Sequence, residues 1–328
     1  MDIISKLKES GLTGRSGSGF PTGLKWEAVK STVAEKKYIV CNGSEGEPDV
    51  FKDSFILENY PEEVVKGIKL ALETIDNSSA YIYLNSHYYQ KYKTKLEELI
   101  RDSPIVLFKK TGGYLAGEET CVCEAIEGKR PEPRIKPPYP SEVGLWGCPT
   151  LINNVETFYR VAQIAEDNYK GERLYSIAGD VKKPGTYELL EDMTIRQILQ
   201  ETGNLPEADS EQNFFVQSGG ISGEILLSNE LDQQVKGIGG IVVYDREKTD
   251  LMSLMKKWTE FFMAGNCDKC TPCREGVYRM DEMLKKGEIN KEEMDDFLFV
   301  LEQTSFCALG KGVAVPFRSL INKLLEPV

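Results

Sequence analysis

Three cysteines at regular intervals, Cys267, Cys270 and Cys273, with a fourth at Cys307, restrict what the end of this 328-residue chain can become. Thiolates in a Cys-x-x-Cys-x-x-Cys run wrap one centre, and a remote fourth completes the four-cysteine set of a [4Fe–4S] cluster. Zinc is the alternative. Zinc ribbons and fingers pair two knuckles, however, whereas one such run with a single distant cysteine is an iron–sulfur pattern. Helical patterning near 250–263, 274–286, 291–302 and 313–325 reads as a small bundle built around that centre.

Composition narrows the rest. Eight cysteines in this length are too dilute for a disulfide scaffold. Forty basic against fifty-two acidic residues leave a net charge of −12, which argues against nucleic-acid binding. No apolar run approaches the roughly 18 residues that span a bilayer, so no direct membrane insertion is expected. Met1 to Lys6 lacks the features of a secretory signal, and the expected location is the cytoplasm.

Three parts are expected. In residues 1–170, β-prone runs at Tyr38–Cys41, Ala80–Leu84 and Ile105–Phe108 alternate with helical periods at Glu62–Ile75 and His87–Ile100, the rhythm of an α/β domain. A proline-dense stretch from Arg130 to Pro149 reads as an extended loop over a site or interface. In 171–247, strand, hairpin, helix and further strands make a small α+β unit, and 248–328 is the helical part.

Four segments point to a nucleotide-like ligand. Gly14-Arg15-Ser16-Gly17-Ser18-Gly19-Phe20-Pro21-Thr22-Gly23-Leu24-Lys25 offers backbone N–H groups, a following helix and two cations to a phosphate, although its spacing is neither the Rossmann fingerprint nor a P-loop. Asn42 to Pro48, Gly112 to Thr120 and Asn153 to Thr157 are strand or loop ends loaded with amides and carboxylates, suited to ribose hydroxyls and heterocycle edges. Turn formation and helix capping by Glu118, Glu119 and Asn153 are the ordinary explanation for any one of them alone.

GRSGSGFPTGLKW, NGSEGEPDVFKD, GGYLAGEET, PRIKPPYP, PTLINNVET, NCDKCTPCREG and FCALGKG resemble, in order and over nearly the whole chain, segments of the NADH-oxidising flavoprotein subunit of respiratory complex I and its relatives in NAD-linked hydrogenases and formate dehydrogenases. The resemblance implies an α/β flavin- and nucleotide-binding domain, an SLBB-type β-grasp domain, and a C-terminal four-helix bundle holding one [4Fe–4S] cluster. It implies an NADH dehydrogenase (diaphorase) with cofactors FMN, NAD(H) and the cluster. FMN would lie against Gly14, Arg15, Gly17, Lys25, Asn42, Gly117, Glu118, Asn153 and Asn154. Glu47 would stand near the nicotinamide, Phe20 and Tyr139 beside the adenine, and Glu119 near the adenosine ribose. Glu45 and Tyr114 complete the cofactor-binding set, and Cys267, Cys270, Cys273 and Cys307 are the metal ligands. A carboxylate at the ribose favours NAD(H) over NADP(H). Partners would be a thioredoxin-like [2Fe–2S] subunit and a hydrogenase, formate dehydrogenase or aldehyde oxidoreductase subunit, an assembly compatible with electron bifurcation.

The chain departs from that pattern in places. Ser44 stands for an aspartate, Gly46 for a serine, Ala28 for an aromatic, and Gly265-Asn266 for Glu-Ser, while the segment between Tyr83 and Thr111 is shorter. Alternative readings are an Rnf-type ferredoxin/NAD electron-transfer subunit, and a non-catalytic relay scaffold that has lost nucleotide binding. Outside these motifs, His87 carries no catalytic pattern, Cys121 and Cys123 point apart on a helix, and Cys41 and Cys148 read as packed thiols. Arg130, Arg134 and Lys136 read as a solvated rim or partner contact.

Overall fold

The computed structural model describes residues 2–207, 213–287 and 289–325. It divides into two compact units. One comprises Met1–Gly46, Phe51–Gly112 and Ala116–Leu174, and the other Glu47–Val50, Gly113–Leu115 and Tyr175–Val328.

The first unit is organised by side-chain alternation along four parallel strands. These are β1 (Lys37–Gly43), β2 (Ser78–Leu84), β3 (Ile105–Lys109) and β4 (Thr150–Asn154), in spatial order β3-β2-β1-β4. Ile39 and Cys41, then Ala80, Ile82 and Leu84, with Leu151, point to one face, where they join the largest core. Helices α1 (Ile3–Glu9), α2 (Thr22–Ser31), α3 (Lys52–Asn59), α4 (Pro61–Thr74), α5 (Ser86–Ile100) and α7 (Val155–Ala165) supply most of the rest of it. On the other face Val40, Tyr83 and Ile152 pack on Val122, Cys123, Ala125 and Ile126 of α6 (Glu119–Ile126). With both faces covered, a parallel sheet puts its carboxyl edge to use. In α4, Val64, Val65, Ile68 and Ala71 are buried at helical spacing, which is why the helix lies flat on the core.

The second unit holds a five-stranded mixed sheet in the order β6-β5-β9-β7-β8. The strands are β5 (Glu172–Gly179), β6 (Gly185–Leu190), β7 (Phe214–Ser218), β8 (Glu224–Leu227) and β9 (Gly240–Asp245). β5 and β9 are parallel, and β7 runs antiparallel to both β8 and β9. Ile195, Ile198 and Leu199 of α8 (Ile195–Glu201) close its core. The helical region follows as α9 (Leu251–Gly265), α10 (Thr271–Lys286), α11 (Lys291–Thr304), the short α12 (Ala308–Gly312) and α13 (Ala314–Leu324). Ser319 on α13 accepts the Ile225 N–H at 2.9 Å, and Lys323 reaches the Ile225 carbonyl and Glu230, both at 2.8 Å. Among the described residues no helix is long and apolar enough to cross a membrane.

Candidate functional site

Strand order decides where a ligand fits in the first unit. The chain steps from β1 outward to β2 and β3, then returns to add β4 on the opposite side of β1, so the order reverses between β1 and β4. Loops on either side of such a switch point diverge and leave a crevice at the carboxyl edge. Asn42 and Asn154, with Asn153 beside them, end the two strands there. The Asn42 side chain donates to the Gly117 carbonyl at 2.9 Å and accepts the Ser44 hydroxyl at 2.6 Å, which ties the loop before α6 to the same edge.

The two neighbouring asparagines do different work. Asn154 caps α7 by accepting the Glu156 N–H at 3.0 Å, and it also binds Lys52 at 3.1 Å and Asp53 at 2.7 Å, so its amide is committed to the protein. Asn153 is 5% exposed, and its Oδ1 has no hydrogen-bond partner among the described residues. A buried amide oxygen left unmatched costs free energy until a donor arrives. The flavin of the expected cofactor carries such a donor, so this residue fits the group.

Behind this edge lies an ionic core that has no local sequence signature. Lys52 pairs with Asp53 at 2.7 Å and Glu156 at 3.2 Å, all three essentially buried. Glu156 is held ionised against its burial by Lys52, Arg160, Arg15 and Arg173. Arg15 belongs to that core: it is 1% exposed and its guanidinium donates to the Tyr169 hydroxyl at 2.9 Å. Its charge is turned inward.

The glycine-rich segment forms a closed loop, with Thr13 bridging to Pro21 and the Gly14 N–H on the Phe20 carbonyl at 2.9 Å. Gly17 adopts φ 91°, which a side chain would resist. Lys25 follows on α2, where burial pulls its pKa down against the pull of Glu119, whose carboxylate is 3.7 Å away; its ammonium donates to the Ile152 carbonyl at 3.3 Å. Glu118 caps α6, accepting the Thr120 and Cys121 N–H groups at 2.8 and 3.1 Å. Lys136, from the proline stretch, reaches Glu118 at 2.6 Å and Glu119 at 2.9 Å. Burial opposes its charge, but the two carboxylates raise its pKa. The three basic residues of the proline stretch are all engaged: Arg130 pairs with Glu132 at 3.3 Å, Lys136 sits on the candidate ligand carboxylates, and Arg134 is locked to Glu124, Glu127 and the Gly144 carbonyl. Phe20 and Tyr139 are each about half exposed, at 48% and 52%, leaving ring faces available for stacking.

Two further ionisable groups sit at the strand ends. Glu45 accepts the Tyr88 hydroxyl at 2.6 Å and the Asp53 N–H at 3.2 Å, and burial, then Asp53, push its pKa up to about 8. Burial pulls Lys110, after β3, down to about 8 with its ammonium 3.4 Å from the Ser44 carbonyl. A lone lysine carries no sequence signal of such burial.

In the second unit, Glu47 and Tyr114 come together although 67 residues separate them: the Tyr114 hydroxyl donates to Glu47. The other carboxylate oxygen accepts the Ile221 N–H at 2.8 Å. Burial raises the Glu47 pKa against these two donors.

The four cysteines of the Cys267 to Cys307 set also lie in the second unit. Cys270 is the residue immediately before α10, Cys273 lies in that helix's first turn, and Cys307 precedes α12. Burial, then Cys270, Cys307 and Cys267, push the Cys273 thiol up to about 12, so the four are near enough to act on one another. The N–H groups of Leu309 and Gly310 bond to the Cys307 sulfur. Among the described residues no three His, Cys, Asp or Glu side chains converge on one ion. A cubane takes its thiolates at four separate irons, so the donor set fits it. Buried Ser305, 4% exposed, has a hydroxyl beside this set with no partner among the described residues, and Gly310 packs against both Ser305 and Cys273. Of the remaining thiols, Cys41, Cys121 and Cys123 are buried and Cys148 is half-buried.

Residues 7–163 match the family model of the Nuo51 FMN-binding domain, and residues 253–326 that of the NADH-ubiquinone oxidoreductase-F iron-sulfur binding region. The chain is 33% identical to an NADH-quinone oxidoreductase F subunit of Rhizobium meliloti (strain 1021), over 98% of this chain and 86% of that one. To the NADH-quinone oxidoreductase F subunit of Aquifex aeolicus (strain VF5) it is 34% identical, over 99% and 84%. A solved chain of NAD+-reducing [NiFe]-hydrogenase in the H2-reduced state superposes with a TM-score of 0.89 at 28% identity, covering 98% of this chain. This chain spans 61% of the length of that hydrogenase chain.

Proposed function

The chain belongs to the family of NADH-quinone oxidoreductase F subunits, and on that footing we propose that it is the NAD(H)-linked diaphorase subunit of a multisubunit oxidoreductase. The observation that carries the reading is the unmatched Asn153 oxygen at the β1/β4 switch point of a chain whose first half matches an FMN-binding model. When bound, FMN exchanges a hydride with NADH or NAD+ and passes electrons singly to the [4Fe–4S] cluster.

The chain's own residues bind and orient. Gly14, Gly17, Lys25, Asn42, Gly117 and Glu118 are read as the cradle of the phosphate and ribityl chain, with Asn153 meeting the ring. Asn154 and Arg15 serve that cradle from behind, through the buried groups they contact. Glu119 accepts hydrogen bonds from the adenosine ribose and repels a 2′-phosphate, while Lys136 fixes its carboxylate in place. Phe20 and Tyr139 stack on adenine. Glu45 supports the edge, Glu47 keeps the nicotinamide role that the resemblance gives it, and Tyr114 serves the cofactor site by donating to Glu47. Cys267, Cys270, Cys273 and Cys307 hold the cluster.

The domain reading is 1–170, 171–247 and 248–328. A β-grasp identity for the middle part is supported by a mixed sheet with one helix in its core. A cytoplasmic place, and the thioredoxin-like [2Fe–2S] and catalytic partner subunits, follow from the same reading. Acid extraction of the purified protein tests it: chromatography should show FMN. Recovery of FAD, or failure of the protein to take up FMN, would overturn it.

A further inference from the structure

Glu47 is held from two sides by elements far from it in sequence. Its partner Ile221 lies 174 residues away, in the turn between β7 and β8. That turn is built to present one N–H. Gly220 has φ 89°, and a Cβ there would come within 2.9 Å of the Glu47 carboxylate oxygen, so the chain can pass this close only as glycine. The Gly223 N–H closes the turn on the Gly220 carbonyl at 2.8 Å. Gln217 on β7 anchors it by donating to the Ile221 carbonyl at 3.0 Å, and the Tyr244 hydroxyl on β9 reaches Gln217 at 3.3 Å. On the other side Tyr114, donor to the second carboxylate oxygen, lies against Phe261 of α9, 4.8 Å between ring centroids, and against Gly265.

We infer that the Gly219–Gly223 turn of the second sheet is a positioning element for the nicotinamide end of the dinucleotide, acting by fixing the Glu47 carboxylate through the Ile221 N–H. This rests on the reading of Glu47 given above. A carboxylate with both oxygens engaged has one orientation available to a ligand, and orientation set in advance reduces the entropy lost on binding.

Equilibrium binding of NAD+ to the FMN- and cluster-loaded protein tests this, independently of turnover. Glu47→Ala should weaken binding about tenfold or more, the scale of a lost hydrogen bond to a charged group. Ile221→Pro, which removes the N–H, and Gly220→Ala, which crowds the carboxylate, should each weaken it about three- to tenfold with FMN content unchanged. In the Glu47→Ala background neither should have any further effect. Gly220→Ala decides the matter if Ile221→Pro does not fold. Normal NAD+ affinity in the loaded turn variants, or losses that persist undiminished without Glu47, would overturn the positioning role while leaving the reading of Glu47 intact. An unchanged affinity in Glu47→Ala alone would overturn that reading and the inference with it.

Discussion

Asn42 and Asn154 are register partners across β1 and β4, and the Asn154 side chain donates to the Asn42 carbonyl at 3.2 Å. This bond lies where the strand order reverses and ties the two strand ends together, while the Asn153 Oδ1, one residue earlier, has no hydrogen-bond partner among the described residues. The structural work falls to Asn154, and the proposed binding role to Asn153.

That division predicts opposite phenotypes. Asn154→Ala should destabilise the protein by roughly 2–4 kcal/mol, since it removes a helix cap and bonds to buried charges. Asn153→Ala should change the stability of the flavin-free protein by less than about 1 kcal/mol, yet lower FMN affinity about tenfold. Thermal unfolding and FMN titration of the two variants separate the effects.

Glu119 should govern the choice of dinucleotide. Glu119→Lys removes the ribose acceptor and the repulsion of a 2′-phosphate together, and it leaves Lys25 and Lys136 as added positive charge beside the site. The ratio of kcat/KM for NADH to that for NADPH should fall at least tenfold. An unchanged ratio would place Glu119 away from the ribose.

Much of the fold was legible because local periodicity and burial agree. The β-prone runs Tyr38 to Cys41 and Ala80 to Leu84 recur within β1 and β2, and the helical spacing of Glu62 to Ile75 recurs as α4. α3 escaped because FKDSFILEN buries Lys52 and Asp53 alongside Ile56 and Leu57, a mixture that periodicity reads as amphipathic in no direction. Long-range pairing was the other blind spot. Nothing in NGSEGEP announces that Glu47 meets Ile221, because that contact depends on a turn folded 174 residues away and not on any local pattern. The motif residues were visible individually, but that Asn154 is committed to Lys52, Asp53 and the Glu156 N–H while the Asn153 oxygen is not could be read only from the folded chain.

Lys110 predicts a pH dependence. Its pKa falls from 10.5 to about 8 on folding, so between those values the unfolded chain binds more protons, and stability from this group rises with pH. Below about 8 the cost of burying the ammonium is fully present. Lys110→Met should therefore raise the melting temperature of the flavin-free protein by roughly 2–4 °C at pH 7, and the advantage should shrink as pH rises toward 10. Thermal scans at several pH values check the trend.

Ser305 should tune the cluster. A hydroxyl donor near cluster sulfur stabilises the more negative reduced form, so Ser305→Ala should lower the reduction potential of the [4Fe–4S] centre without changing its iron content. Potentiometric titration followed by electron paramagnetic resonance measures both quantities.

Anaerobic titration of the FMN- and cluster-loaded protein with NADH tests the central claim most directly, with flavin absorbance and the magnetic signal of the reduced cluster followed together in wild type and in soluble, flavin-loaded Cys270→Ser. NADH should bleach the flavin in both proteins, and the reduced-cluster signal should grow in wild type alone. A loaded wild-type protein whose flavin NADH does not bleach, or a Cys270→Ser variant in which the reduced-cluster signal grows as in wild type, would contradict the account.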